Sequence, residues 1–203
     1  MNRVRHARAA AFALGATLSM AAPTFAAQAP ATFTPFERAA LPALAAPAAN
    51  PSTLPKQIRE FGKRPGMGLW LGANSREART VLAPDGTNHQ KWYIIPARGK
   101  ICLLRLGAAG CVSFAAALEG RLYLQFIKPY GNSPESPLPP AGVPMPSRVV
   151  GVAPRGITGV TASTRSGQTI TGAVRDGMFA ISGADMTGIV LTRDPLAVPV
   201  FSG

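Results

Sequence analysis

Cys102 and Cys111 are the only cysteines of this chain, and they close a ten-residue loop, both included, with Gly107-Ala108-Ala109-Gly110 near its far end. An even cysteine count reads as a disulfide where the compartment is oxidising. Chain entropy alone credits a bridge across such a loop with about 2.7 kcal/mol. The rival chemistry, a thiol pair holding metal, needs four ligands, usually with histidine among them. Beyond residue 27 the only histidine is His89, so neither a metal nor a cofactor is expected.

His89 is also the only histidine there to serve a serine or cysteine nucleophile. It stands between Asn88 and Gln90, three residues after Gly86, in a loop-like context. No Gly-x-Ser-x-Gly elbow and no Gly-x-x-x-x-Gly-Lys-Ser/Thr phosphate loop occurs. A carboxylate pair for glycoside hydrolysis would have to come from nine acidic residues. Glu37 and Glu135 stand in Pro-rich stretches. Asp85, Asp176 and Asp185 accompany turn glycines, where Asp bonds to its own backbone. Glu60, Glu77, Glu119 and Asp194 remain, with nothing to pair them.

The cations offer a different chemistry. Lys56, Arg59, Lys63 and Arg64 form a cluster opposed only by Glu60. Arg76, Arg79, Lys91, Arg98, Lys100 and Arg105 surround Trp92 and Tyr93. Aromatic residues interleaved with cations can stack bases and hold phosphates. Trp92 and Tyr93 are successive strand residues, however, and point to opposite faces. That argues against nucleic acid and for a sheet with a buried aromatic face and a basic solvent face. The ten cations are retained as candidate contacts to an anionic cell-wall polymer, lipid headgroup or glycan. The basic cluster at 56–64 also reads as a solvated tether.

The elements that must position these residues begin after an export signal. Arg3, Arg5 and Arg8 precede an apolar run from Ala9 to Ala22, with small residues at Ala22, Ala26 and Ala27. This order marks residues 1–27 as a secretory signal peptide. The run is about 14 residues, short of the roughly 20 a spanning helix needs, so no transmembrane span is expected in the mature chain. The destination is extracellular, the cell wall or the periplasm. The chain has 21 Lys+Arg against 9 Asp+Glu, and the signal takes three arginines with it. The surplus is uneven: residues 28–128 hold 13 basic and 5 acidic side chains, residues 129–203 only 5 and 4.

Residues 28–65 are Ala/Pro-rich and read as a linker carrying the basic cluster. Within it, 36–46 could form a short helix interrupted by Pro42, and Ile58 with Phe61 could line a one-turn amphipathic helix. Residues 66–128 read as a β unit with the disulfide. Asn74 or Ser75 could cap a helical turn over 75–82, or that stretch could be a strand entering the turn at Pro84-Asp85-Gly86. Strands are expected over 91–95, ending at Pro96, and over 101–106, pairing with 111–114. Ser113 could instead cap a helix over 114–118, stopped by Gly120. Residues 121–127 alternate as a half-buried strand, with Leu122, Leu124 and Phe126 facing one way.

Residues 129–146 hold seven prolines and read as a loop or second linker. A second β unit over 147–201 offers strands at 148–152, 157–164, 169–174, 178–181 and 188–192, separated by Gly-containing turns. The expected fold class is mainly β: a small antiparallel sandwich or barrel-like sheets, with one hairpin disulfide and Pro-rich disordered linkers. Whether the two β units form one domain stays open.

Several of these stretches carry a resemblance. The residues are Ala78-Arg79-Thr80-Val81, Pro84-Asp85-Gly86, Trp92 to Gly99, Ile101-Cys102 with Cys111, Val149 to Ile157, and Asp176-Gly177-Met178-Phe179. Together, over about residues 78–181, the chain resembles a group of uncharacterised exported proteins of actinobacteria. The resemblance implies compartment and fold type, and no activity.

The functional expectation is an exported, non-catalytic protein of the cell envelope with affinity for an anionic surface or polymer. The alternative is a secreted interaction module, of inhibitor or adhesion type, presenting the disulfide loop to a protein partner. A hydrolase is the third reading, and His89→Ala discriminates it.

Overall fold

The computed structural model describes residues 29–63, 72–84, 91–127, 146–193 and 197–202. The expected signal peptide, Arg64, the turn at Pro84-Asp85-Gly86 beyond Pro84, His89 and the Pro-rich stretch up to residue 145 lie outside them.

Two antiparallel sheets make up the fold. The first runs in the order β1 (Arg79–Leu82), β2 (Lys91–Ala97), β3 (Lys100–Arg105) and β4 (Ala108–Ser113). Each strand pairs with the one before it, and two-residue turns join β2 to β3 and β3 to β4. Cys102 and Cys111 face each other across β3 and β4 with Cα atoms 4.0 Å apart, and are joined as a disulfide. The expected hairpin bridge is therefore present.

The second sheet contains β5 (Tyr123–Ile127), β6 (Pro146–Val152), β7 (Ile157–Thr164), β8 (Thr169–Arg175), β9 (Met178–Ala184), β10 (Met186–Arg193) and β11 (Ala197–Ser202). Its spatial order is β11-β10-β7-β8-β9-β6-β5. The sheet folds on itself at β8. There Gly172 lies against Val160 of β7, Ile181 of β9 and the Ala180 carbonyl, so closely that no side chain would fit. The tight turn between β8 and β9 places Asp176 at φ 50° and Gly177 at φ 73°.

Strand alternation divides β6 between two cores. Val149 joins Val160, Ala162, Phe179, Ile181, Ile189 and Leu191 inside the curled second sheet. Val150 and Val152 face the first sheet, where they meet Trp92, Ile94, Ile101 and Leu103. Leu124 and Phe126 pack on that same side, as their alternation predicts. One core cluster thus draws on both β units.

Residues 29–63 correct the expectation of a coreless linker. Prolines break this stretch into short turns: α1 (Pro35–Ala40), a 3₁₀ turn over Pro42–Ala45, another over Pro51–Thr53, α2 (Lys56–Arg59) and a 3₁₀ turn over Phe61–Lys63. Phe33, Leu41, Ala43 and Leu44 join the core between the sheets. Leu54, Ile58 and Phe61 cover the other face of the first sheet, against Tyr93, Ile95 and Leu104. Proline ends α1 before the expected helix over 36–46 is complete, so Phe36 projects outward, 69% exposed, while Leu44 is buried.

Pro96 is a second correction, because β2 continues through it to Ala97. The pairing with β1 ends at Ile94. The Pro96 carbonyl, which lies on that vacated side, accepts from the Asn74 N–H at 2.9 Å. The missing N–H of proline faces the same side, so no ladder bond is lost.

Both alternatives hold at two capped turns. Asn74 caps a 3₁₀ turn over Ser75–Glu77 that leads directly into β1. Ser113 ends β4 and caps α3 (Phe114–Leu118), its Oγ accepting from the Ala116 N–H at 3.2 Å. Among the described residues no helix is long and apolar enough to cross a membrane.

Candidate functional site

The end of the first sheet where β1 and β3 begin and β2 and β4 finish gathers most of the candidate cations. Arg98 and Lys100 flank the turn between β2 and β3. Arg76 sits in the 3₁₀ turn just before β1, held by the Asn74 cap. The Ser75 hydroxyl donates to the Arg59 carbonyl at 2.9 Å, which ties the C-terminal end of α2 to the same place. Lys56 and Arg59 stand three apart on α2, and Lys63 ends the 3₁₀ turn that follows.

All six side chains, Lys56, Arg59, Lys63, Arg76, Arg98 and Lys100, are exposed. Their backbone is anchored by the buried Ile58, Phe61 and Ala78 beneath. Among the described residues none of the six enters an ion pair. The acids at this end are Glu37, Glu60 and Glu77, and Glu37 is engaged by the Thr34 N–H in the α1 cap. Glu77 already accepts from Arg79 at 3.1 Å and lies 3.9 Å from Arg38. The local surface is therefore strongly positive.

Arg38 brings α1 to this end of the sheet, a residue the sequence reading did not select. Its helix is fixed by a capping box: Thr34 Oγ1 accepts from the Glu37 N–H, and Glu37 Oε2 accepts from the Thr34 N–H. The Thr-Pro-x-Glu pattern carried that signal, but Pro-rich surroundings masked it.

Three candidates lie elsewhere. Arg79 is 5% exposed, pinned by Glu77 and set 5.7 Å from the Phe33 ring centre, so it cannot serve as a surface contact. Its carbon stem and charge stabilise the packing of residues 29–45 on β1. Lys91 is exposed but starts β2, at the opposite end of the sheet. Arg105 ends β3 at that far end, half-buried, with its guanidinium 3.9 Å from the Phe126 ring centre and 5.8 Å from that of Trp92. Burial and the neighbouring Arg148 guanidinium lower its proton affinity from the ordinary value. Arg105 thus bridges the two sheets.

Trp92 and Tyr93 lie on opposite faces of β2 as expected, and both are buried, at 0% and 4% exposure. Neither forms a stacking platform. The expectation of a basic solvent face on the other side of the aromatic face is corrected, because both faces of β2 are covered.

Three acidic residues occupy structural positions. Glu37 completes the α1 cap, Glu119 pairs with Arg121, and Asp176 stands in a turn beside Arg175. No group of His, Cys, Asp and Glu among the described residues could hold a metal ion. A shallow groove of about 440 Å³ runs between Pro42–Ala46 and Thr80–Leu82, with Asp176 and Met178 at its side. Its lining is mostly aliphatic, with Thr80 and Asp176 as its polar side chains.

Compared with protein-family models, with curated proteins and with solved structures, the chain matches none.

Proposed function

We propose that this is an exported, non-catalytic protein of the cell envelope that holds an anionic surface or polymer at the basic end of its first sheet. The observation that carries the reading is the convergence of Lys56, Arg59, Lys63, Arg76, Arg98 and Lys100 on one exposed region with little opposing acid. Such a field raises the local concentration of a polyanion and speeds its capture. The disulfide is compatible with an oxidising compartment outside the cytoplasm.

The test is sedimentation of the full chain with purified cell walls across a salt series, beside retention on immobilised heparin. Binding should fall steeply with salt. The triple variant Arg76→Gln, Arg98→Gln, Lys100→Gln should lose it, while Lys91→Gln, at the other end of the sheet, should retain it. Equal loss in both variants, or no binding at low salt, would remove the reading.

A second reading, a module that binds a protein partner through the β3–β4 turn, is favoured by Leu106. This side chain is 53% exposed at the tip of the disulfide-bridged hairpin. It predicts that reduction abolishes partner binding and that salt matters little.

A further inference from the structure

The same end of the sheet carries an apolar feature that a soluble polyanion would leave unused. Phe36, on α1, is 69% exposed, more than Leu82 or Leu106. Its ring meets Phe114 edge-on, with centroids 5.7 Å apart. Phe114 follows Ser113, the residue directly opposite Lys100 across β3 and β4. On the other side of α1, Arg38 reaches Glu77 at 3.9 Å, next to Arg76. Helix α1 therefore reaches from Phe114, which follows β4, to Glu77, which precedes β1, across this end of the first sheet.

We infer that this end docks on a bilayer containing anionic lipid, with Phe36 entering the headgroup layer and the surrounding cations meeting the phosphates. The inference rests on the anionic-surface reading above and names the surface. Its two parts come from separate observations. Arg38, Arg76, Arg98 and Lys100 supply the charge complementarity that draws a protein to anionic lipid. Phe36 supplies an aromatic body on a turn fixed at its start by the Thr34–Glu37 capping box, with its ring against Phe114. Interfacial anchors combine these features, an apolar tip within a ring of cations. A wall polymer or glycan would engage the cations and gain little from Phe36.

The experiment is co-sedimentation of the full chain with phosphatidylcholine vesicles, with and without phosphatidylglycerol. Wild type should bind the phosphatidylglycerol vesicles selectively. Phe36→Ser should weaken that binding about ten-fold or more, the loss of one buried aromatic anchor. All variants share residues 9–22, so their difference reports on Phe36 alone. Phe36→Trp should give a tryptophan emission that acyl-brominated lipid quenches beyond any quenching in wild type. Undiminished binding of Phe36→Ser, no added quenching in Phe36→Trp, or equal binding to both vesicle types would overturn the inference. Salt-sensitive binding to heparin or walls without vesicle binding would overturn it as well, while leaving the proposed function standing. Failure on every anionic surface would remove both.

Discussion

Trp92 and Tyr93 are adjacent on β2, yet each is buried in a different core: Trp92 between the two sheets, Tyr93 beneath residues 54–63. A central strand with two dry faces needs a cover on each side. The second sheet supplies one, with Phe126 edge-on to Trp92 at 5.7 Å. The Pro-rich segment supplies the other. From this arrangement the segment is part of the folded domain rather than a tether.

Leu44→Ala and Ile58→Ala test that status. Both side chains are essentially fully buried, so each truncation should destabilise the protein by about 2–5 kcal/mol in urea unfolding. Residues in a tether would change stability by less than about 0.5 kcal/mol, and that result would refute the packing described.

Tyr93 makes the stability depend on alkaline pH. Burial raises its phenol above the ordinary value of 10.0. The folded state therefore favours the neutral form. The resulting stabilisation is complete below about pH 10 and is lost as pH rises through the higher folded value. Thermal midpoints followed upward from about pH 9 should decline, and Tyr93→Phe should flatten the decline. An unchanged profile in the variant would show that other groups are responsible.

The Cys102–Cys111 bridge joins directly facing residues of β3 and the edge strand β4. Replacing both with alanine should lower stability by about 2.7 kcal/mol, the value for a ten-residue loop. Urea midpoints of the variant and of wild type, with and without reductant, measure it. Wild type in reductant should approach the variant.

Gly177 and Gly167 form a paired test of backbone freedom. Both have positive φ, 73° and 81°. A side chain at Gly177 would run into the backbone of Pro42 and Ala43, whereas Gly167 has nothing within 4 Å of that position. Gly167→Ala should cost about 1–2 kcal/mol from the left-handed conformation. Gly177→Ala should cost clearly more, because Pro42 and Ala43 must also move. Equal losses would mean that the N-terminal segment yields freely.

The strands of the second sheet were legible because each turn announces itself. Pro154-Arg155-Gly156, Ser166-Gly167 and Asp176-Gly177 bound β7, β8 and β9 closely. Side-chain alternation also placed Leu122, Leu124 and Phe126 on one face. Residues 29–63 were not legible, because their apolar residues follow no single period. Leu41, Leu44, Leu54, Ile58 and Phe61 sit on successive short turns that proline redirects, and only the sheet beneath aligns them. Strand β11 went unread for a related reason, with Pro199 inside an edge strand that pairs on one side only. At the candidate site, sequence proximity overstated the group. Lys91, Arg79 and Arg105 lie near the others in the chain, but strand direction and burial separate them.

The seating of Pro42 and Ala43 against Gly177, and of the Ala40 carbonyl against the Arg155 N–H, also sets an order in time. Residues 29–45 leave the ribosome early, but their partners at 155 and 177 come more than a hundred residues later. Contacts so distant in sequence form slowly. Leu41 and Leu44 have partners in β2 and β3 earlier, but the seat of Pro42 and Ala43 is complete only when the β8–β9 turn exists. The first segment of the domain to be made is thus among the last to have its packing completed.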